Sequence, residues 1–340
     1  MALIELKGLT TIFGRRPAHA LAQVRAGIDK ATLLAQTGHS LALHDVDLAI
    51  QAGEIFVIMG QSGSGKSTLV RHINRLIDPT AGQVLIDGQD ITALGMAELI
   101  ALRRRRLAMV FQRFGLLAHR NVLDNVALGL ELRAVPLARR QADAMRWIER
   151  VGLAGSHASY PSQLSGGMQQ RVGLARALCA DTDIILMDEA FSALDPLIRS
   201  QLQGELLALQ ADYHKTIVFI THDLDEGLRI GSRVAILNQG RVVQVGTPSQ
   251  VLMRPADAYV ASFVGDVNRA RAWRVADALA PWPVELPQPE VSDAVAEDDT
   301  LEQVLPQLVG TGTPRAVRRG SAIVGQVSIE TVRALLQPPR

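Results

Sequence analysis

Two glycine-rich segments of this 340-residue chain have residue types that can bind phosphate, and each precedes a stretch with a helical pattern. Residues 60–67 read GQSGSGKS, and residues 164–169 read LSGGMQ. Backbone N–H groups at the start of a helix lack partners within the helix, and the helix dipole favours negative charge at that end. The chain therefore contains two candidate anion sites.

The first segment predicts a nucleoside triphosphate site. A predicted strand at 54–59 precedes it and a helical pattern at 68–76 follows it, which is the strand–loop–helix context of a P-loop. Glycines let the backbone N–H groups wrap a β-phosphate, Lys66 offers a charge between the β- and γ-phosphates, and Ser67 offers a hydroxyl to Mg²⁺. The predicted nucleotide-binding residues of this segment are Gly60, Gln61, Ser62, Gly63, Ser64, Gly65, Lys66, Ser67 and Thr68.

A second source of chemistry is the apolar run at 184–187, which ends in the carboxylates of Asp188 and Glu189. A buried strand would hold Asp188 rigidly beside the phosphate loop, where it is suited to bind Mg²⁺ directly or through a water molecule. Glu189 is suited to polarise the attacking water as a general base. Together with the P-loop, this pair predicts hydrolysis of the triphosphate.

Short strands and helices must position these groups. The sequence predicts strands at 2–6, 46–50 and 54–59, one helix over 18–36 that stops near Gly38, and a β-hairpin within 78–91. Residues 121–180 have a mostly helical pattern. The apolar runs at 184–187 and 216–220 each follow a helix, as buried parallel strands do.

In their order and spacing, the segments at 60–67, 164–169 and 184–189 resemble the motifs of ATP-binding-cassette (ABC) ATPases. Further matches are Gln112 with the Q-loop, Asp195 with the D-loop and His222 with the switch histidine. The resemblance covers about residues 1–265. It implies an α/β P-loop NTPase fold of the RecA-like type, with an antiparallel β subdomain and an α-helical subdomain at about 112–161.

The resemblance also implies how two phosphate sites in one chain work together. In this family two cassettes pair head to tail, so each ATP lies between one P-loop and the signature residues Ser165, Gly166 and Gly167 of the other subunit. A chain with a single cassette then implies a homodimer.

Roles for single residues follow from the same resemblance. The residues expected to serve catalysis are Glu189, His222 and Gln112, those expected to bind Mg²⁺ are Ser67, Gln112 and Asp188, and Asp195 is expected at the nucleotide. Phe13 aligns with the aromatic residue that stacks on adenine. Packing of Phe13 in the core is the alternative.

Three segments narrow the resemblance to one branch: the helical insertion before the P-loop, residues 187–199 and residues 241–248. They look like the ATP-binding subunit of importers for quaternary amines such as choline, glycine betaine or proline betaine. This implies a separate membrane permease, a periplasmic or extracellular solute-binding protein that acts through it, and a peripheral position on the cytoplasmic face of the membrane. An importer of another small solute is the alternative. A soluble, non-transport ABC ATPase is disfavoured, because the chain holds one cassette and no sustained heptads.

The last quarter of the chain has a different composition. Residues 266–300 are rich in proline and acidic residues and predict a linker. Residues 301–340 form a separate segment whose pattern over 301–336 is helix, strand, strand, helix; it resembles a single CBS unit. CBS units normally work in pairs, so a single unit leaves two alternatives: a lobe that contacts the dimer partner or is vestigial, and a lobe that regulates activity.

Charge and composition argue against a nucleic-acid partner, an internal disulfide and a membrane-spanning helix. A net charge of +1 gives no reason to expect a nucleic-acid partner, and the arginine run at 103–106 predicts a solvated face. The single cysteine, Cys179, excludes an internal disulfide and is expected to be a buried helix residue. No apolar run approaches the roughly 20 residues that a membrane helix needs.

Overall fold

The computed structural model describes residues 2–111, 115–192, 194–265, 273–283 and 290–336. The strands are β1 Ala2–Phe13, β2 Ser40–Gln51, β3 Ile55–Met59, β4 Ala81–Ile86, β5 Gln89–Asp90, β6 Leu107–Val110, β7 Ile184–Asp188, β8 Thr216–Ile220, β9 Arg233–Asn238, β10 Arg241–Gly246, β11 Val295–Ala296, β12 Arg315–Arg319 and β13 Ala322–Val327. The helices are α1 Pro17–Arg25, α2 Lys30–Thr37, α3 Lys66–Ile73, α4 Met96–Arg106, α5 Val122–Leu132, α6 Leu137–Arg150, α7 Gly166–Cys179, α8 Pro196–Tyr213, α9 Leu224–Ile230, α10 Pro248–Met253, α11 Ala258–Phe263, α12 Leu301–Thr311 and α13 Ile329–Leu336.

The chain divides into two compact units, one of residues 1–223 and 230–243 and the other of residues 224–229 and 244–340. In the part of the chain that the structure describes, no helix combines the length and the apolar character needed to span a bilayer.

A six-stranded sheet forms the centre of the first unit, in the order β10-β9-β3-β8-β7-β6. Strand β3 pairs in parallel with β8 and β9, and β7 pairs in parallel with β6 and β8. All residues of β3, β7 and β8 are buried, because both faces of the sheet are covered. This confirms the parallel strands predicted from the apolar runs at 184–187 and 216–220, and it brings the carboxyl ends of β3 and β7 to one edge.

An antiparallel sheet, in the order β2-β1-β4-β5, forms a second layer of this unit. Strands β1 and β2 extend well beyond the predicted 2–6 and 46–50. They pair from Ala2 with Gln51 to Phe13 with Ser40, through several register shifts. Such shifts interrupt the regular alternation of apolar and polar residues, so the sequence pattern showed only a part of each strand.

The predicted single helix at 18–36 is two helices, α1 and α2. Gly27 has a φ of +92° and interrupts the helical path. Asp29 then caps α2, since its Oδ1 accepts a 2.9 Å hydrogen bond from the N–H of Thr32. The predicted stop is confirmed: Gly38 ends α2 in the left-handed conformation, with a φ of +70°.

Helices α5, α6 and α7 confirm the helical pattern predicted for residues 121–180 and share one core, to which Val126, Ile148 and Val172 contribute. Cys179 belongs to this core, as expected of a buried helix residue. Its burial raises the pKa of the thiol to about 12, so the thiol stays protonated at neutral pH.

The arginine run at the end of α4 is only in part the solvated face that was predicted. Arg104 and Arg105 are exposed. Arg103 instead donates to the carbonyl oxygens of Asn74 at 2.8 Å and Arg75 at 2.7 Å, directly after α3. Arg106 forms ion pairs with Asp87 and Asp183.

The second unit contains the helix, strand, strand, helix order predicted for residues 301–336, as α12, β12, β13 and α13. The described residues of the predicted linker also belong to its core: Trp273, Val275 and Val295 pack in the same hydrophobic cluster as Leu301. Strand β11 pairs in parallel with β12. The prolines at 281–289 and the acidic residues at 290–299 obscured these apolar anchors. The boundary near 265 stays a prediction.

Candidate nucleotide site

The loop between β3 and α3 requires glycine at two of its positions. Gly60 has a φ of +150° and Gly65 a φ of +106°. A Cβ atom on Gly60 would lie 2.2 Å from the carbonyl oxygen of Leu237, and one on Gly65 would lie 2.7 Å from that of Ala42. Both distances are too short for a side chain, so this tight loop at the end of a buried strand depends on these two glycines.

Lys66 is the first residue of α3, and its side chain folds back over the loop. Its Nζ donates to the carbonyl oxygens of Gly60 at 2.8 Å and Gln61 at 3.0 Å. Burial lowers the pKa of the ammonium group, while the carboxylates of Glu189 and Asp188 act in the opposite direction. The positive charge is therefore held inside the loop, where a P-loop places the phosphates.

The two residues predicted to bind Mg²⁺ within the described chain lie next to each other. Ser67 Oγ donates a 2.8 Å hydrogen bond to Asp188 Oδ1, and Arg71 Nη2 lies 3.7 Å from Asp188 Oδ2. Adjacent ligands of an octahedral Mg²⁺, each at 2.0–2.1 Å from the ion, are about 2.9 Å apart. The spacing of the hydroxyl and carboxylate oxygens fits that requirement. Gln112, the third predicted ligand, lies outside the described residues.

Glu189 follows the last residue of β7 and turns out of the sheet. Its backbone is left-handed, with a φ of +46°. Its N–H donates to the carbonyl oxygen of Ile220 at 3.1 Å, and its own carbonyl accepts a 2.9 Å bond from Ser192 Oγ. The carboxylate Oε2 lies 3.4 Å from Nδ1 of His222, whose side chain is 57% exposed. The predicted base and the predicted switch histidine therefore lie side by side.

Of these groups, Lys66, Ser67 and Glu189 line one cavity of about 410 Å³, whereas Asp188 and His222 are not in its lining. The residues that line it are Phe13, Lys30, Ser40, Ala42, Ser62, Gly63, Gly65, Lys66, Ser67, Thr68 and Glu189. Phe13 is 43% exposed and thus lies at the cavity rather than in the core, the alternative considered for it. Lys30, Ser40 and Ala42 were not predicted, because they lie in or beside an insertion without a motif of its own.

Some predicted residues lie outside this lining. Gly60 and Gln61 instead supply the carbonyl oxygens that hold Lys66, and Ser64 is buried in the loop.

The signature segment does not line the cavity of its own chain. Ser165 caps α7, since its Oγ accepts a 3.3 Å bond from the N–H of Met168, and both Ser165 and Gly166 are exposed. Gly167 is half-buried in the first turn of α7. Asp195 is likewise exposed and caps α8, accepting a 3.1 Å bond from the N–H of Ile198. The structure thus presents the signature and Asp195 at the surface, available to another molecule.

Comparisons with known proteins show which family the chain resembles in sequence. The family model described as ABC transporter matches residues 43–192. The glycine betaine/proline betaine transport system ATP-binding protein ProV of Salmonella typhimurium is 48% identical over 98% of this chain and 82% of its own length. The glycine betaine/carnitine transport ATP-binding protein GbuA of Listeria monocytogenes is 43% identical over 99% of this chain and 83% of its own length.

A solved structure supports the same assignment. The ATP-binding cassette MJ0796, in a dimeric post-hydrolysis state bound to ADP and phosphate, matches with a TM-score of 0.61 and 33% identity. The match covers 72% of this chain and 98% of that cassette. The α/β cassette fold predicted from the motifs is confirmed by this likeness.

Proposed function

Because the chain belongs to the family of ABC transporter ATP-binding proteins, we propose that it powers the uptake of a quaternary ammonium solute through a separate membrane permease. The observation that carries the solute class is the similarity to ProV, which extends over 98% of the chain. Glycine betaine and proline betaine, named for that relative, are the first candidates. Choline follows, since a choline transport ATP-binding protein of Bacillus subtilis is 43% identical over 67% of the chain.

The chain binds and hydrolyses ATP, and we assign the steps to its residues as follows. Lys66 neutralises the β- and γ-phosphates, and the side chain of Phe13 stacks on the base. Bound Mg²⁺, held by Ser67, Asp188 and Gln112, would supply a positive charge that stabilises the developing negative charge on the phosphates. Glu189 accepts a proton from the attacking water, and His222, 3.4 Å from Glu189, orients that carboxylate and reaches the γ-phosphate.

A second copy of the chain completes each site. The exposure of Ser165, Gly166 and Asp195, and their absence from the lining of the cavity, support a head-to-tail homodimer. In that dimer the N-terminus of α7 faces the γ-phosphate bound by the partner subunit, as an N-terminal helix end favours an anion. Loss of the γ-phosphate on hydrolysis removes the bridge and loosens the dimer.

The other partners follow from the proposed importer. The helical part around α5 and α6 contacts the permease, and the solute-binding protein acts through that permease from the outer side. The chain would then lie peripherally on the cytoplasmic face of the membrane. Nucleic acid is not proposed as a partner, since the formal charge of the chain is only +1.

Uptake by the reconstituted importer tests the proposal. The chain is co-purified with a candidate permease of the same source and placed in liposomes with a candidate solute-binding protein. We expect ATP-driven uptake of radiolabelled glycine betaine, proline betaine or choline, and none with a polyamine or a sugar. Uptake of a polyamine or sugar alone would overturn the solute class. If the chain hydrolyses ATP but does not co-purify with any permease, the transport role is overturned.

A substitution of Glu189 separates ATP binding from hydrolysis in the same preparation. Glu189→Gln keeps the size of the side chain and one acceptor oxygen, but its amide group is a poor base. We expect ATP affinity within about twofold of wild type and turnover reduced at least about 100-fold, the scale of a lost general base. Wild-type turnover in this variant would contradict the assignment of Glu189.

For the CBS-like segment we propose a contact within the dimer, with regulation by ionic strength as the competing role. Its own buried core, which includes Trp273, Leu301 and Val317, supports a folded lobe. Removal of residues 266–340 should weaken the dimer and leave the salt dependence of ATP hydrolysis unchanged. A changed salt dependence would favour the regulatory role.

A further inference from the structure

We propose that Arg199 is a positioning residue that links the loop of Asp195 to the loop of His222. The inference rests on the function proposed above, because it assigns a role to Arg199 through these two residues. Arg199 lies in the first turn of α8, four residues after Asp195, and its N–H donates to the Asp195 carbonyl oxygen at 2.9 Å. Arg199 is the last residue of the segment 187–199, which resembles the importer branch as a whole and assigns this residue no role.

The guanidinium group of Arg199 contacts both loops at once. Its Nη2 donates to the carbonyl oxygen of Leu194 at 3.2 Å, directly before Asp195. Its Nη1 donates to Asp223 Oδ2 at 2.9 Å, directly after His222. A planar guanidinium with several fixed N–H donors can hold two acceptors in different directions, which a lysine ammonium does with much less geometric control.

The contacts on the far side of Asp223 are equally well defined. The N–H of Asp223 donates to Thr221 Oγ1 at 2.9 Å, and the N–H of Thr221 donates to the carbonyl oxygen of Ile58 in β3 at 3.3 Å. His222 therefore lies between a residue tied to the central sheet and a residue tied to Arg199.

Together these contacts form a continuous ring that includes Glu189 and His222, the two residues proposed to act in hydrolysis. Glu189 lies 3.4 Å from His222, and the next residue, Asp223, accepts a hydrogen bond from Arg199. Arg199 also donates to Leu194, which lies five residues after Glu189. A shift of Asp195 against a partner subunit moves the start of α8, and Arg199 transmits this shift to Asp223 and so to His222. Arg199 thereby lets the dimer contact set the position of the side chain that orients Glu189.

A double-mutant cycle on Arg199 and Asp223 tests this link in the full chain with its permease. We expect Arg199→Ala and Asp223→Ala each to lower kcat about tenfold or more, with KM for ATP within about twofold, because the nucleotide contacts are unchanged. The double variant should be no slower than either single one, since both remove the same link. Arg199→Lys should recover part of the loss, as it restores the charge but not both contacts.

The matched control is the ion pair of Lys215 with Asp181, at 2.8 Å. These residues precede β8 and β7, so they join the same two segments at the opposite ends of the strands. Lys215→Ala and Asp181→Ala should leave kcat within about twofold of wild type, as expected for a surface pair. Thermal melting of every variant shows whether a loss of turnover reflects unfolding, and Arg199→Lys supplies the kinetic reading if Arg199→Ala does not fold.

Three results would overturn the link: additive losses in the cycle, a matching loss in the Lys215 control, or a rise in KM as large as the fall in kcat. His222→Ala separates this inference from the proposed function. If His222→Ala is inactive while the Arg199 and Asp223 variants turn over normally, only the link fails. If His222→Ala has wild-type turnover, the role proposed for His222 fails and the link fails with it.

Discussion

Ser67 donates a 2.8 Å hydrogen bond to Asp188, although the two residues are 121 positions apart; Ser67 lies in the helix that follows β3, and Asp188 is the last residue of the non-adjacent strand β7. In the sheet, β8 lies between β3 and β7. The first turn of α3 therefore reaches across the carboxyl end of β8 to meet the last residue of β7. This one contact aligns the phosphate loop with the carboxylates, and it is the place where a metal ion would join them.

Replacement of Asp188 by Asn tests the metal role of this pair. The amide oxygen can still accept the bond from Ser67, but the charge that attracts Mg²⁺ is lost. We expect ATP turnover to fall at least about 100-fold, in line with a metal contribution of several kcal/mol, while the melting temperature changes little. Steady-state hydrolysis across a Mg²⁺ titration measures this effect. Ser67→Thr, which keeps a hydroxyl, is the control, and normal turnover of Asp188→Asn would exclude Asp188 as a ligand.

Two substitutions of Ser165 test whether the signature meets phosphate. Asp and Asn both cap helices as well as Ser does, so neither should destabilise α7. The Ser165→Asp substitution would place a negative charge against the γ-phosphate of the partner, so we expect this variant to bind ATP normally and to hydrolyse none. Ser165→Asn, which adds no charge, should retain more activity than Ser165→Asp. Steady-state hydrolysis and ATP binding are measured on both variants, and equal activity of the two would show that the signature does not meet phosphate.

Mixing two inactive variants then tests the head-to-tail arrangement. Lys66→Ala removes the P-loop charge, and Ser165→Asp blocks the signature. If each site combines the P-loop of one copy with the signature of the other, random mixing leaves one intact site in half of the dimers. Activity should return to about a quarter of wild type when one site suffices. If the mixture stays as inactive as its components, the signature does not act in trans.

The exposed side chain of Phe13 at the cavity predicts a specific loss of base recognition. Base–aromatic stacking contributes about 1–3 kcal/mol, so Phe13→Ala should weaken ATP binding at least about fivefold. Inorganic tripolyphosphate, which has no base, should bind the variant and the wild type equally. Phe13→Tyr should restore ATP affinity. Equal weakening of ATP and tripolyphosphate would indicate that Phe13 supports the loop rather than the base.

His72 predicts how the stability of the cassette depends on pH. Nε2 lies 2.9 Å from Thr11 Oγ1, and Nδ1 lies 2.6 Å from the carbonyl oxygen of Thr68, both in the buried interior. An N–H on Nδ1 donates to Thr68, which leaves Nε2 to accept from Thr11, so the neutral ring satisfies every partner. Burial lowers the pKa of His72 below its ordinary value of 6.5.

The lowered pKa of His72 determines how stability changes with pH. Well above pH 6.5 the ring is neutral in both folded and unfolded chains, and its stabilising contribution is complete. As the pH falls below 6.5 towards the lower folded pKa, the unfolded chain binds the proton first, and stability is lost. Urea unfolding between pH 7.5 and 5.5 should show this decline, and His72→Gln should reduce its slope. An unchanged slope in His72→Gln would assign the decline to other groups.

The sequence predicted best those features in which a few adjacent residues determine both structure and chemistry. The P-loop, the strand that ends at Asp188 and the helix that begins in the signature segment are of this kind. In each, the residues that determine the backbone geometry are also the residues that the chemistry needs. The split between α1 and α2 was hidden, since Gly27 lies inside an otherwise helical pattern. Trp273 and Val295 were hidden by the acidic and proline-rich residues round them.

Contacts between distant segments left no local pattern to find. Lys30 reaches the cavity only because α2 packs beside the antiparallel sheet, and Arg199 contacts Asp223 only because β7 and β8 are neighbours. Long polar side chains of this type look like ordinary surface residues in a sequence. Their partners follow from the strand order, which apolar runs alone do not specify.

The left-handed backbone of Glu189 gives two neighbouring carboxylates different supports. Asp188 is still part of β7 and is as stiff as the sheet, whereas Glu189 is the first residue beyond it, with a φ of +46°. Pairing with Ile220 of β8 therefore holds the backbone of Asp188, whereas the position of Glu189 depends on the turn and on its contact with His222. We therefore expect substitutions in that turn to change the rate at which water attacks more than they change the affinity for Mg²⁺, so that hydrolysis rate and cofactor affinity vary independently.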